Sequence, residues 1–253
     1  MISLTAVYVL WLREMKRYFR AKSRILGSLA IPFFFLAFLG LGFNRMAVPG
    51  AGSVNYIRFL VPGIVGMSLL FQSIFAGLSV LWDREFGFLK EIMVAPVSRV
   101  SIVLGRIAGG MTTALVQGLL VLALSFLVGF RIKSVPALLL ALLFMVLVST
   151  SFIGLGLVFA SKIKDMQGYS IIMNFVVFPL FFLSGALYPL DNLPAWLRIF
   201  SYLDPLTYGV DGLRGTLIGL SSRGILLDLL IMAAVSVLMV FLGAWSFDRS
   251  ESA

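Results

Sequence analysis

The chain has 253 residues, 60% hydrophobic and 12% charged, with a mean hydropathy of +1.06. A soluble domain carries about 25% charged residues, so this deficit excludes a soluble fold, and the net charge of +9 marks loop orientation and headgroup contact rather than nucleic-acid binding. Cysteine and histidine are both absent, which removes thiol and thiolate-metal chemistry along with the commonest acid–base catalyst, and argues against an enzyme.

Residues 1–24 open with apolar Leu4, Val7, Tyr8, Trp11, Met15 and Phe19 at helical spacing. Arg13, Lys16, Arg17, Arg20 and Arg24 fall largely on the opposite side, the pattern of an amphipathic helix lying at the headgroup level. Trp11 with Arg13, Lys16, Arg17 and Arg20 would be its interfacial anchors. No small-residue cleavage site follows the first apolar run, so a secretory signal is not expected. Apolar runs then recur at about Ile25–Phe43, Phe59–Trp82, Ile107–Val128, Pro136–Ala160, Gly168–Leu187 and Ile225–Phe247. Each is near the roughly 20 residues needed to cross a hydrocarbon core. The expected fold is therefore an all-α polytopic membrane protein with six transmembrane helices, forming one domain over residues 1–253.

Between the second and third runs lies Asp83–Arg99, reading DREFGFLKEIMVAPVSR. It is too long for a simple hairpin and too apolar to be only a solvated loop. Its charges alternate with Phe86, Phe88, Leu89, Ile92 and Met93, and Pro96 stops it, as in a short helix with one apolar edge. This reads as a docking surface for a cytosolic partner. With the N-terminus inside, thirteen of the twenty Lys and Arg fall on the cytosolic side, so both termini and this stretch are expected there.

Residues 184–223 are neither loop nor span. Apolar runs of about ten residues are broken by Pro189, Pro194, Pro205 and glycines, a length that suits re-entrant or interfacial segments. Tyr188, Trp196, Tyr202 and Tyr208 suit the headgroup level. The stretch is either a cap on the outer face or a gate that dips into the bilayer, with Arg214 pairing with Asp211 or Asp204. Within the spans the polar groups are few, Gln72, Ser73, Gln117, Ser149–Ser151, Asn174 and Ser184 among them. They read as interhelical hydrogen bonders, and Gly105, Gly109, Gly110, Gly154 and Gly156 as close-packing positions. No Asp or Glu is expected near a midplane, which argues against ion-coupled transport.

Two stretches resemble signatures of the membrane subunit of ABC-2 type transporters. One is Arg84-Glu85-x-Gly87-x-Leu89-Lys90-Glu91 followed by Pro96-Val97-Ser98-Arg99, similar to the family's coupling helix. The other runs from Ser184-Gly185 through Tyr188-Pro189 to Pro205-Leu206-Thr207-Tyr208, with Arg214 after five intervening residues. The likeness covers nearly the whole chain and is nearest to daunorubicin-resistance and nodulation-type export permeases. It implies a cytosolic coupling helix in which Arg84, Glu85, Phe86, Gly87, Phe88, Leu89, Lys90, Glu91 and Met93 dock an ATPase. It also implies re-entrant helices before the last span, with Gly185, Tyr188, Pro189, Pro205, Leu206, Tyr208 and Arg214 as the outer gate. Two copies of the chain would form the path through the cytoplasmic membrane, driven by two ABC ATPase subunits. Having no G-x-x-x-x-G-K-[ST] loop, this chain would bind no cofactor, leaving ATP and Mg²⁺ to the partner. The cargo class implied is an amphiphilic drug, lipid or lipid-linked polysaccharide. The competing expectation is a secondary transporter or channel working without ATP.

Overall fold

A computed structural model describes residues 3–43, 54–87, 97–163 and 165–250. Among these residues nine α-helices occur: α1 (Leu4–Arg20), α2 (Lys22–Phe34), α3 (Tyr56–Glu85), α4 (Arg99–Ser125), α5 (Val135–Lys162), α6 (Met166–Leu183), α7 (Ala195–Leu203), α8 (Pro205–Ile218) and α9 (Ile225–Ser250). No β-strand occurs among the described residues. Six segments are long and apolar enough to cross a membrane: Lys22–Leu41, Tyr56–Glu85, Val100–Val128, Val135–Lys162, Met166–Leu183 and Ile225–Phe247. All six expected runs are thus found, five with shifted ends and the last, Ile225–Phe247, as expected. The first begins three residues earlier, only Ala21 separating α1 from α2, and the third begins seven residues earlier, which takes Arg106 inside a helix.

Polar caps set several of these boundaries. Ser3, Ser98, Ser134 and Asp165 each accept a backbone N–H from the first turn of the helix they precede, an exchange that satisfies otherwise orphaned donors. Pro32 interrupts α2; it can donate no bond to the preceding turn, and the span continues as a wide π-helical segment over Phe35–Leu41.

The core lies along α3. Two thirds (67%) of its apolar window is buried, against 17% for the first span and 17% for the last, so the outer helices leave most of their surface for lipid. Small residues let the backbones approach. A Cβ at Gly154 would strike the backbone of Met239 on α9, and one at Gly109 would strike Glu14 on α1. Side-chain bonds add specificity: Ser151 meets Ser236 at 2.8 Å, and the Tyr169 hydroxyl donates to the Ile74 carbonyl at 2.7 Å. The glycines singled out in the sequence act in helix packing, whereas of the serines expected to bridge helices Ser151 does so, Ser149 and Ser184 bond carbonyls of their own segments, and the Ser73 hydroxyl is buried without a partner. The bundle has two ends. At the proximal end α3 finishes, α4 begins and α1 lies; at the distal end α3, α5 and α9 begin.

Candidate functional site

The proximal end is held by a buried charge cluster. Asp83, in the last turn of α3, is 5% exposed and contacts three arginines from two other helices. Arg13 of α1 donates to its Oδ1, Arg17 of α1 stands 3.9 Å from the same oxygen, and Arg106 of α4 lies 3.0 Å from Oδ2. Arg17 also pairs with Glu14 at 2.8 Å. Arg106 is itself 5% exposed. A charge is buried only where partners compensate it, so Asp83 clasps the end of α3 to α1 and α4 together.

This differs from the sequence reading in three ways. Asp83 is the buried end of a span and not the exposed start of a docking helix. Arg13 and Arg17 turn inward to carboxylates, because α1 packs against α4 over Gly105 and Gly109. Trp11 likewise donates its indole N–H to Thr112 of α4 at 3.0 Å. Lys16 and Arg20 stay exposed, as interfacial anchors would be.

Beyond the clasp, Arg84 and Glu85 complete the last turn of α3, Glu85 and Phe86 are exposed (Phe86 79%), and Gly87 follows at a left-handed φ of 75°. That turn suits a glycine, and it ends the helix where the stretch was expected to stand clear. Phe88, Leu89, Lys90, Glu91 and Met93 lie outside the described residues.

At the distal end, α7 and α8 form an insertion before the last span. α8 has 14 residues, about 21 Å of helix and too short to cross a bilayer. Leu206, Val210, Leu213 and Leu217 on it are buried between α3, α5 and α9. Its glycines set the fit: a Cβ at Gly212 would overlap the Phe144 ring, and one at Gly209 would meet Val148, halfway along α5. α8 therefore runs antiparallel to α5, and its N-cap, Asp204, is carried toward the middle of the bundle. Asp204 accepts the Leu206 N–H at 2.9 Å and is 3% exposed, its Oδ2 unpartnered. Asp204 is a buried carboxylate inside the bundle that the sequence reading did not count, because it caps a short helix that is not one of the spans. Burial pushes this carboxyl well above the usual range, against the opposing bond from Leu206.

Arg214 does not pair with Asp211 or Asp204. Its Nη2 donates to the Gly185 carbonyl at 3.0 Å, its Nε to the Phe59 carbonyl at 3.4 Å, and its guanidinium lies 3.8 Å from the Phe59 ring centroid. It is 6% exposed, and burial lowers it to about 10, so it stays charged at neutral pH. Arg214 thereby ties α8 to the start of α3 and to the turn after α6. Gly185 sits in that turn at φ 73°, and the Tyr188 hydroxyl donates to the Phe182 carbonyl across it. Pro189 leads into a 3₁₀ turn, Pro205 begins α8, and the Tyr208 hydroxyl reaches the Tyr202 carbonyl. Of the residues expected to form the outer gate, Arg214 and Gly185 meet at this joint, Tyr188 and Pro189 belong to the same turn, and Pro205, Leu206 and Tyr208 lie at the deeper end of α8, with no ion pair among them. Asp211 instead receives the backbone N–H groups of Ser222 and Arg223 and the Ser221 hydroxyl, fixing the turn into α9.

A sequence profile described as ABC-2 type transporter matches residues 5–218, from α1 through the end of α8. The chain belongs to the ABC-2 type transporter family. The Inner membrane transport permease YadH of Escherichia coli (strain K12) is 28% identical over 244 residues, covering 95% of this chain and 91% of that protein. Nodulation protein J of Sinorhizobium fredii (strain NBRC 101917 / NGR234) is 25% identical over 232 residues, covering 90% and 87%. The Putative transport permease ycf38 of Cyanophora paradoxa is 32% identical over a shorter 165 residues, 63% and 56%. This ABC-2 permease is accordingly a multi-pass membrane transport subunit, and its two polar centres stand at opposite ends of the α3 rod. Of these, sequence reasoning found Arg214 but missed Asp83 and Arg106 as a pair. The available signal was an arginine flanked by glycine and isoleucine within an apolar run, which calls for a buried partner.

Proposed function

We propose that this chain is the permease half of an ATP-driven exporter. Two copies would enclose a path for an amphiphilic drug, lipid or lipid-linked polysaccharide, and two separate ATPase subunits would bind ATP and Mg²⁺. The proximal end would face the cytosol, with both termini, as the lysine and arginine bias favours. The observation that carries this reading is the Asp83 clasp beside the exposed Glu85–Phe86 end of α3. A push on the residues after Glu85 enters a helix already bound to α1 and α4 by buried ion pairs, so it moves several helices as one body. It would reach the distal joint through α3, where Arg214 holds α8 and the Gly185 turn. Loosening that joint would open the outer gate, a two-state change biased by nucleotide.

The test is co-expression with a candidate ABC ATPase subunit from the same genome. Changing Glu85 or Glu91 to Arg should weaken co-purification while leaving membrane insertion intact, and unaltered co-purification of both variants would refute the docking role. Arg214→Ala should impair transport without loss of ATPase assembly. Among the described residues, the buried carboxylates Asp204 and Asp228 favour ion-coupled transport without ATP. Uphill uptake by this chain alone in liposomes, driven by a proton gradient, would establish that second reading instead.

A further inference from the structure

Beside the clasp lies a cavity of about 350 Å³ between α1, α2, α3 and α4, with Ile153 and Leu157 of α5 at its wall. Arg24 marks its rim and stacks on Trp82, with the guanidinium 5.0 Å from the ring centroid. Arg17 lies part-way in. Arg106 lines it as a buried cation whose Nε and Nη1 have no hydrogen-bond partner. Asp83 engages only one side of that guanidinium. Four arginines (13, 17, 24 and 106) stand in this region against two described carboxylates, Glu14 and Asp83. The cavity is thus electropositive, and its deepest cation retains free donors.

A second cavity of about 200 Å³ shares Ser28, Gln72 and Phe75 with the first and continues along α2. Its other walls are chiefly apolar, Ile31, Pro32, Met67 and Phe71 among them. Gln117 also lines it, 1% exposed, its Oε1 taken by Tyr18 and Ser28 and its Nε2 without a partner. The two spaces form one groove, basic at one end and apolar at the other, under a span that is only 17% buried and so borders lipid.

From this we infer that the groove binds a single amphiphile with an anionic, phosphate-bearing headgroup. The headgroup lies among Arg17, Arg24 and Arg106, where charge-assisted bonds are strongest and water is displaced. The glycerol or linker oxygens meet Gln117, and the chain lies along Phe75, Phe71 and Ile31. The free Arg106 and Gln117 donors then gain acceptors, which removes the cost of leaving them buried and unmade. This inference concerns binding alone and does not depend on an ATPase.

The test is native mass spectrometry of the full chain in an uncharged detergent, titrated separately with phosphatidylglycerol, phosphatidylcholine and inorganic phosphate. One phosphatidylglycerol should bind with an affinity about tenfold above phosphatidylcholine, and inorganic phosphate should compete poorly. Arg24→Gln, at the exposed rim, and Ser79→Phe, which fills the headgroup space, should each abolish the preference. Lys22→Gln removes an exposed charge near the rim without lining the groove and should leave it intact. Equal retention of both lipids, or the same loss in Lys22→Gln as in Arg24→Gln, would overturn the assignment. Inorganic phosphate binding as tightly as the lipid would overturn the amphiphile and leave only a free-anion site.

Discussion

Asp83→Asn is the sharpest perturbation of the clasp. Asp83 and Arg106 are 3.0 Å apart and about equally buried. At an effective dielectric near 20, two unit charges at that distance attract by about 5 kcal/mol. Asparagine keeps the shape and cancels the charge, leaving the buried Arg106 guanidinium without its nearest counterion, with Glu14 the remaining described carboxylate of the cluster. Removing one partner of a buried pair costs about 3–5 kcal/mol. For a chain of this size each kcal/mol is worth about 2–4 °C of melting temperature, so the variant should melt about 6–20 °C lower in detergent, followed by fluorescence-detected size exclusion. Arg13, at 29% side-chain exposure, can turn to water and adds little. The double variant Asp83→Leu with Arg106→Met should recover most of the loss, because the penalty belongs to an unpaired charge and not to a missing contact. A single variant melting within about 2 °C of wild type, or a double variant no better than the single, would refute the account.

Three further outcomes are expected. Asp204→Asn keeps the acceptor for the Leu206 N–H; since burial raises the carboxyl pKa, wild type should lose stability relative to this variant as pH rises from about 4 through the raised value, and a pH-independent difference in melting temperature would contradict this. Gly63→Ala should cost about 1–3 kcal/mol, because the added Cβ meets the rigid backbone of Ala186, and the same melting assay reads it. The chain has no cysteine, so Phe86→Cys introduces a unique, exposed thiol; an impermeant maleimide should label it in inverted vesicles and not in intact cells, and the reverse would place the proximal end outside.

The spans were legible because hydrophobic runs of near-crossing length admit few other structures in lipid. Their ends were less so. Arg106 looked like a flanking charge because a linear reading sees its glycine and arginine as an interruption, whereas the fold supplies Asp83 from 23 positions away. α8 was legible as a non-span from its prolines and glycines, but its depth was not. Depth depends on Gly209 and Gly212 fitting Val148 and Phe144, contacts between segments more than 60 positions apart. The Arg214 partner was misjudged for a related reason. Local spacing favours Asp211, one turn earlier, yet that carboxylate is already engaged by three donors at the α9 turn.

The two centres also differ in what they can release. Arg214 holds its neighbours through neutral carbonyls and an aromatic face, interactions that water could replace were they to separate. The Asp83 clasp binds charge to charge at a buried carboxylate and a buried guanidinium, where separation leaves uncompensated ions and costs several kcal/mol. If the proposed exporter function holds, motion would enter beside the stiff contact at the exposed end of α3 and would be released at the yielding one, an order that would run backwards were the exposed end of α3 the gate.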